Sequence, residues 1–266
     1  MGAPLFQVDA FASGPFTGNP AAVCLLEEPA APPWMQAVAA EMNLSETAFV
    51  SPFDGDDPGR FGLRWFTPTV EVELCGHATL ASAHVLWDTT RLPSDTSARF
   101  ETRSGVLTAS RAGDEVELDL PADPVTPATP ERGLLEALGL AEVAGASRGR
   151  VGWLLEVADA GTVRDARPDF SRLVSFDIAV LTAPADDPAY DFVSRCFGPK
   201  FGIDEDPVTG SSHCALGPYW SERLGKRELT GFQASARGGV VRVRVDGDRT
   251  VLGGRAVTVT RGELLA

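Results

Sequence analysis

Two short glycine-centred motifs, about half a chain apart, constrain most strongly how this sequence folds. The first is Glu73–Thr79 (ELCGHAT) and the second is Asp206–Ser212 (DPVTGSS). Each follows an extended segment and begins a run of small and apolar residues, 78–87 and 213–224, that is typical of a helix. The first turn of a helix carries N–H groups without intrahelical partners and the positive end of the helix dipole. Two such starts facing each other would bind an anionic small molecule, so we expect a ligand between two similar halves.

The first of these helices has no polar face, which predicts that protein surrounds it. Short alternating or β-branched segments lie on both sides of each motif, so the order strands, glycine motif, helix, strands occurs twice. An antiparallel sheet curled around each helix accounts for both features. The four prolines of residues 121–130 interrupt helix and strand patterns and predict a linker. We predict an N-terminal domain of residues 1–121, with residues 256–266 as an optional last strand, and a C-terminal domain of residues 122–255.

Composition excludes several classes of function. The net charge of −14 leaves no basic face for nucleic acid. No apolar run has the length of a membrane span, and residues 1–10 lack the pattern of a secretory signal, so we predict a cytoplasmic protein. The chain has no dinucleotide-binding or phosphate-loop motif. The four cysteines show neither CxxC pairing nor zinc-type spacing with the histidines, which predicts reduced thiols and no metal site.

Glu46 and His77 are the first candidates for catalysis. If the strand beginning near Glu46 is half-buried, its carboxyl group lies beside apolar neighbours, where burial raises a carboxyl pKa and makes the group a proton shuttle. The alternative is a solvated glutamate at a strand start. His77, at the predicted helix start, would act as a neutral hydrogen-bonding partner or proton donor, or else only as a capping or packing residue.

Asp206, Ser211 and Cys75 each have a functional and a structural interpretation. Aspartate before proline commonly opens a turn, serine is an ordinary N-cap, and the acidic residues 204–206 also suit a solvated loop. Cys75 beside a helix start has the position of a reactive thiol, whereas free cysteine usually behaves as a small buried hydrophobe. The complete second motif, more than any one member, favours a functional site.

Four ordered motifs resemble the PhzF-type phenazine-biosynthesis isomerases. They are VDAF with FTGNPAAV in residues 8–23, LSET in residues 44–47, CGHAT in residues 75–79 and DPVTGS in residues 206–211. The resemblance implies the diaminopimelate epimerase-like fold, an α+β fold of two pseudo-symmetric halves. In that fold each half is a mostly antiparallel β-barrel rolled around a central helix, the active site lies between the halves, and a homodimer is the expected assembly.

The resemblance also implies roles for individual residues. Glu46 would be the acid/base that moves a proton and a double bond on a small carboxylate substrate without a cofactor. His77, Asp206 and Ser211 would support it. Gly76 and Gly210 would donate backbone N–H groups to the substrate carboxylate, and Asn19 would line the pocket.

Two other functions remain open from the sequence. Epimerases of this fold invert a carbon centre with two cysteines, and Cys75 occupies the first thiol position. Thr209 stands near the second, however, and its hydroxyl is too weak an acid to replace a thiolate, which favours a single carboxyl shuttle. A carboxylate-binding homologue that has lost turnover is the non-catalytic alternative.

Overall fold

The computed structural model describes residues 2–53, 55 and 57–265. They form two compact units, residues 2–119 with 253–265 and residues 120–252. The elements up to the second unit are β1 (Ala3–Ala10), β2 (Asn19–Leu25), α1 (Pro32–Met42), β3 (Glu46–Pro52), β4 (Arg60–Phe66), β5 (Glu71–Val72), α2 (Gly76–Asp88), β6 (Ala98–Thr102), β7 (Gly105–Ala112) and β8 (Glu115–Pro121).

The remaining elements follow in chain order. They are β9 (Thr126–Pro127), α3 (Arg132–Leu138), β10 (Gly145–Arg148), β11 (Trp153–Glu156), α4 (Ala160–Asp165), α5 (Phe170–Leu173), β12 (Ala179–Pro184), β13 (Phe192–Gly198), a short 3-10 helix (Pro199–Phe201), β14 (Ile203–Asp206), α6 (Gly210–Leu224), β15 (Glu228–Gln233), β16 (Gly239–Asp246), β17 (Arg249–Gly254) and β18 (Ala256–Leu264). The chain thus returns to the first unit within β17.

Strand pairing in the first unit mixes antiparallel and parallel neighbours. β1 pairs antiparallel with β18 and with β2, and β2 is parallel to β3, where Ala21 lies opposite Glu46. β3 is antiparallel to β4, which pairs antiparallel with β5 and parallel with β6. β6, β7 and β8 form an antiparallel meander. This pairing places the first residue of β3 beside β2, the strand that begins with Asn19.

The second unit has the same pairing pattern. β10 is antiparallel to β9 and β11, and β11 is parallel to β12. β12 is antiparallel to β13, which pairs antiparallel with β14 and parallel with β15, and β15 is antiparallel to β16. The duplication predicted from the two glycine motifs therefore extends to the order and direction of the strands.

The helix α2 is surrounded by the sheet of the first unit, as its apolar composition predicts. Eleven of its thirteen residues are buried, and it contacts β1, β2, β3, β7 and β18. Its few hydroxyl groups bond within the helix: Thr79 Oγ1 donates to Cys75 O at 2.6 Å and Ser82 Oγ donates to Ala78 O at 2.7 Å. Because each hydroxyl group donates to a preceding backbone carbonyl, these polar side chains are buried with their donors satisfied.

The helix α6 contains Pro218, whose missing N–H leaves the carbonyl of Cys214 without its usual helical donor. The backbone N–H of Asp123 donates to that carbonyl at 3.0 Å. The Asp123 side chain, 2% exposed, accepts from the backbone N–H groups of Arg150 and Val151. The proline-rich segment predicted as a linker is therefore fastened to α6 within the second unit and includes the short strand β9.

Several short elements were absent from the sequence prediction. The helices α4 and α5 begin after Asp159 and Asp169, whose side chains accept from Thr162 N and Arg172 N. The acidic residues 204–206 belong to β14 and are not a solvated loop, and Glu205 forms a bidentate ion pair with Arg195. No helix in the part of the chain that the structure describes reaches the length and apolarity of a bilayer span.

Candidate active site

The loop between β1 and β2 positions Asn19. The buried Asp9 side chain accepts from the backbone N–H of Phe16 at 2.7 Å, which ties the loop to the end of β1. Gly18 has a φ of +70°, and a Cβ there would lie 2.2 Å from the carbonyl oxygen of Ala10. Only glycine fits this turn, both because of its left-handed backbone and because of the close approach. Asn19 follows the loop as the first residue of β2 and is fully buried.

Glu46, His77 and Asn19 lie together in the first unit. Oε2 of Glu46 is 3.2 Å from Nε2 of His77, and the two side chains are only 13% and 5% exposed. The approach is too poorly aligned to count as a hydrogen bond. On the other side of the ring, Nδ2 of Asn19 lies 3.2 Å from Nδ1 of His77. The glutamate is thus mostly buried at its strand start, with an imidazole as its neighbour.

His77 is a neutral imidazole in this setting. Complete burial lowers its pKa to about 3, because desolvation penalises the charged ring. If the Asn19 amide donates to Nδ1, the ring proton is on Nε2, the nitrogen that faces Glu46. His77 can therefore offer a hydrogen bond toward the carboxyl group or a ligand while carrying no charge.

Cys75 is the N-cap of α2 and lies next to the same histidine. Its Sγ is 3.5 Å from Nδ1 of His77, and its side chain does not cap the helix. By helix geometry, the first-turn N–H groups that begin at Gly76 have no intrahelical acceptor. The N-terminus of α2 thus combines a thiol, a neutral imidazole and outward backbone donors.

The second motif forms a tightly bonded turn in the second unit. Asp206 ends β14, and its Oδ2 accepts from Thr209 Oγ1 at 2.5 Å. Gln233, fully buried on β15, donates from Nε2 to Asp206 O at 2.7 Å and to Thr209 Oγ1 at 3.1 Å. Its Oε1 accepts from Thr209 N at 2.9 Å. These four bonds hold the carboxyl group of Asp206 in a defined orientation.

Ser211 is the second residue of α6 and half-buried, so it is not the N-cap; that position belongs to Thr209. Gly210 is the first residue of the helix, as Gly76 is of α2. Thr209 O accepts from Ser212 Oγ at 2.9 Å and lies 2.8 Å from Nδ1 of the buried His213. Ser212 and His213 therefore contribute to the structure of the helix start.

Sequence analysis missed two features of these sites. Gln233 lies in an ordinary strand pattern, and nothing in its neighbours indicates that its amide bonds the second motif. Glu46, Cys75 and His77 bring one carboxylate oxygen, one sulfur and one ring nitrogen within 4.8 Å of one another, a group able to hold a metal ion. Only the Cys75 and His77 pair is close in sequence, so no motif spacing reveals the cluster.

Comparison with known proteins gives a consistent assignment. Residues 8–262 match the family model for phenazine biosynthesis-like protein (PhzC-PhzF). A Halalkalibacterium halodurans protein named an uncharacterized isomerase is 46% identical over 269 residues, covering 100% of this chain and 99% of the relative. A PhzF-family crystal structure from Enterococcus faecalis, 39% identical, superposes with a TM-score of 0.93 and covers 100% of both chains.

A more distant likeness concerns the fold alone. A hydroxyproline epimerase from Agrobacterium vitis superposes with a TM-score of 0.63 at 12% identity, covering 98% of this chain and 92% of the epimerase. Together with the duplicated strand pattern, these comparisons establish the α+β diaminopimelate epimerase-like fold, with each half built around a central helix.

Proposed function

Because the chain belongs to the PhzC-PhzF phenazine biosynthesis-like family and is an isomerase, we propose that it moves a proton on a small carboxylate-bearing substrate through one carboxyl group, Glu46, without a cofactor. The reaction removes a proton from one carbon and returns it to another on the same face, which shifts a double bond. The substrate needs an acidic C–H bond.

One observation carries this proposal: a glutamate whose side chain is 13% exposed lies 3.2 Å from a neutral, buried histidine. A carboxyl group held in a mostly buried site beside a hydrogen-bond donor is positioned to remove a proton from a bound substrate and return it. His77, as a neutral imidazole, places no positive charge beside this glutamate. Glu46 can therefore take up and return a proton during one cycle.

His77 and Asn19 would orient the reacting groups. With Nδ1 bonded by the Asn19 amide, the Nε2–H of His77 is directed to the side of Glu46. That N–H can stabilise negative charge that develops on the substrate oxygen when the proton leaves. In this proposal His77 donates a hydrogen bond and Glu46 moves the proton.

The two helix starts supply the remaining proposed roles. Gly76 and Gly210 each begin a helix of more than ten residues, and their backbone N–H groups would bind the substrate carboxylate. Asp206, oriented by Thr209 and Gln233, and Ser211 would assist the proton transfer. The net charge of −14 would weakly repel an anionic substrate, so local backbone donors have to capture it.

The test is incorporation of solvent deuterium into bound substrate. A thermal-shift screen of small cyclic and amino-acid carboxylates identifies ligands, since binding to the folded state raises the melting temperature. Exchange is then followed by mass spectrometry in D₂O. We expect Glu46→Gln to slow exchange by at least about 100-fold with the fold intact, because general acid–base groups contribute roughly 10²–10⁴-fold. Glu41→Gln, the same change at an exposed site on α1, is the matched control.

Exchange that proceeds at the wild-type rate in Glu46→Gln would remove this residue from the mechanism. Ligand binding without exchange by the wild-type protein would favour the non-catalytic carboxylate-binding alternative.

The contact between Cys75 and His77 supports a second candidate, an epimerase that uses a thiol. Sγ lies 3.5 Å from Nδ1 at the N-cap of α2, so the thiol has an imidazole as its direct neighbour. The equivalent N-cap in the second unit is Thr209, whose hydroxyl donates to Asp206 and cannot serve as the second thiol. If the protein is an epimerase, Cys75→Ala should abolish exchange. The product should then be the substrate with one carbon centre inverted, which chiral chromatography detects.

A further inference from the structure

We propose that Cys75, His77 and Glu46 form a binding site for a thiophilic divalent cation of the Zn²⁺ type, and that the bound ion blocks proton transfer. Nothing in the established family assignment requires this site. Binding is independent of the reaction, whereas the inhibitory consequence rests on the proposed role of Glu46.

The distances within the cluster suit one ion. In tetrahedral zinc sites the Zn–S bond is about 2.3 Å and the Zn–N and Zn–O bonds about 2.0–2.2 Å, so that neighbouring ligand atoms lie about 3.3–3.7 Å apart. Sγ of Cys75 lies 3.5 Å from Nδ1 of His77, which matches that separation. The third atom, from Glu46, lies within 4.8 Å of the others. Oε2 of Glu46 now faces Nε2 of His77 at 3.2 Å, so the glutamate side chain has to rotate toward Sγ and Nδ1 to complete the set.

The ligand chemistry selects the class of ion. A thiolate is a soft ligand and imidazole a borderline one, so the set favours Zn²⁺, Co²⁺ or Cd²⁺ over Mg²⁺ and Ca²⁺, which prefer oxygen. One thiolate and one carboxylate neutralise the double positive charge, which a buried site requires. The three protein ligands leave a fourth tetrahedral position for water or a substrate carboxylate oxygen.

Metal binding would rearrange the histidine. The ion would replace the contact between the Asn19 amide and Nδ1 of His77. It would also hold the Glu46 oxygen that otherwise accepts the substrate proton. Both consequences oppose the proton transfer proposed above, so the ion acts as an inhibitor.

The test uses Co²⁺ as a spectroscopic probe on the chelator-treated, full-length protein. We expect one equivalent of Co²⁺ to produce a near-ultraviolet band of thiolate-to-cobalt charge transfer, and Mg²⁺ to produce no change. Cys75→Ser should abolish the band, and Glu46→Gln should weaken binding at least about tenfold. Cys24→Ser is the matched control: Cys24 is also buried in the first unit, where burial raises its thiol pKa to about 11, and the band should persist.

A second measurement tests the site in the wild-type protein, in case Cys75→Ser does not fold. In the wild-type protein, Zn²⁺ should slow alkylation of Cys75 by iodoacetamide, as followed by peptide mass spectrometry, and a chelator should restore it. Absence of the charge-transfer band in the wild type, its persistence in folded Cys75→Ser, or unchanged alkylation would each overturn the site. Binding that leaves deuterium exchange at its full rate would overturn the inhibitory role. A wild-type protein with no exchange on any substrate would instead count against the proposed function, since the cobalt titration does not depend on turnover.

Discussion

A single buried amide, that of Gln233, organises the turn before α6. It bonds the backbone of Asp206 and Thr209 and the hydroxyl group of Thr209, so three of its four hydrogen-bonding positions are used by one motif. Glycine acts at the same scale in the first unit, where Gly18 permits the turn that brings Asn19 to His77. Residues outside the proposed chemistry therefore determine where the proposed catalytic groups lie.

At this scale we predict the effect of Gln233→Met, which keeps the length of the side chain and removes its amide. The backbone N–H of Thr209 and the carbonyl of Asp206 lose their partner, and each buried group left unsatisfied costs about 1–3 kcal/mol. Urea unfolding should show a loss of at least about 2 kcal/mol. Gln36→Met, which removes one bond from the half-buried Gln36 to Thr67 O, should cost less. Equal losses in the two variants would contradict this role of Gln233.

Two elements depend on contacts from outside themselves. The helix α2 is stable as a buried, apolar helix only because strands of its own unit cover it on several sides. The helix α6 tolerates Pro218 because the backbone N–H of Asp123 donates to the Cys214 carbonyl, which the proline leaves without its helical donor. A helix interior proline otherwise costs about 3 kcal/mol.

For these elements we predict that Asp123→Ala destabilises the protein by about 2–4 kcal/mol. The buried carboxylate accepts from Arg150 N and Val151 N. Its removal leaves both N–H groups without this acceptor and loosens the segment that reaches α6. Asp248→Ala, at an exposed site in the same unit, is the control and should be close to neutral. Chemical denaturation of both variants measures the difference. A neutral Asp123→Ala would mean that this segment is not anchored through its side chain.

At the scale of the whole molecule, stability should depend on pH through buried histidines. His213 packs against Phe192 and Gly231, and burial lowers its pKa to about 4. The unfolded chain therefore binds the proton between pH 6.5 and 4 while the folded chain does not, so stability is complete above pH 6.5 and falls as the pH drops toward 4. The shift corresponds to a loss on the order of 3 kcal/mol.

We predict that His213→Phe makes this acid-induced loss smaller. Phenylalanine keeps the ring against Phe192, and Thr209 O still accepts from Ser212 Oγ. The free energy of unfolding of wild type and variant, measured by urea at steps between pH 7 and 4, should converge as the pH falls. A constant difference across that range would show that His213 does not contribute to the pH dependence.

The predictions made from sequence were best where the determinants are local. Both motif helices were predicted because their glycine starts and apolar runs lie within a few residues of each other. The helices α4 and α5 were missed, since they are single short turns with little periodicity. The acidic residues 204–206 were open to interpretation because the ion pair of Glu205 is made with Arg195, which lies on another strand.

The amino-acid sequence by itself determined the duplicated order of elements, the buried character of α2, the glycine turns and the family. These follow from backbone freedom, periodicity and apolar composition, all of which are read along the chain. Only the tertiary structure decided that Glu46 and Cys75 meet the same histidine and that Gln233 bonds the second motif. Such contacts join side chains on different strands and helices, and their distances depend on strand register, which a local pattern does not specify.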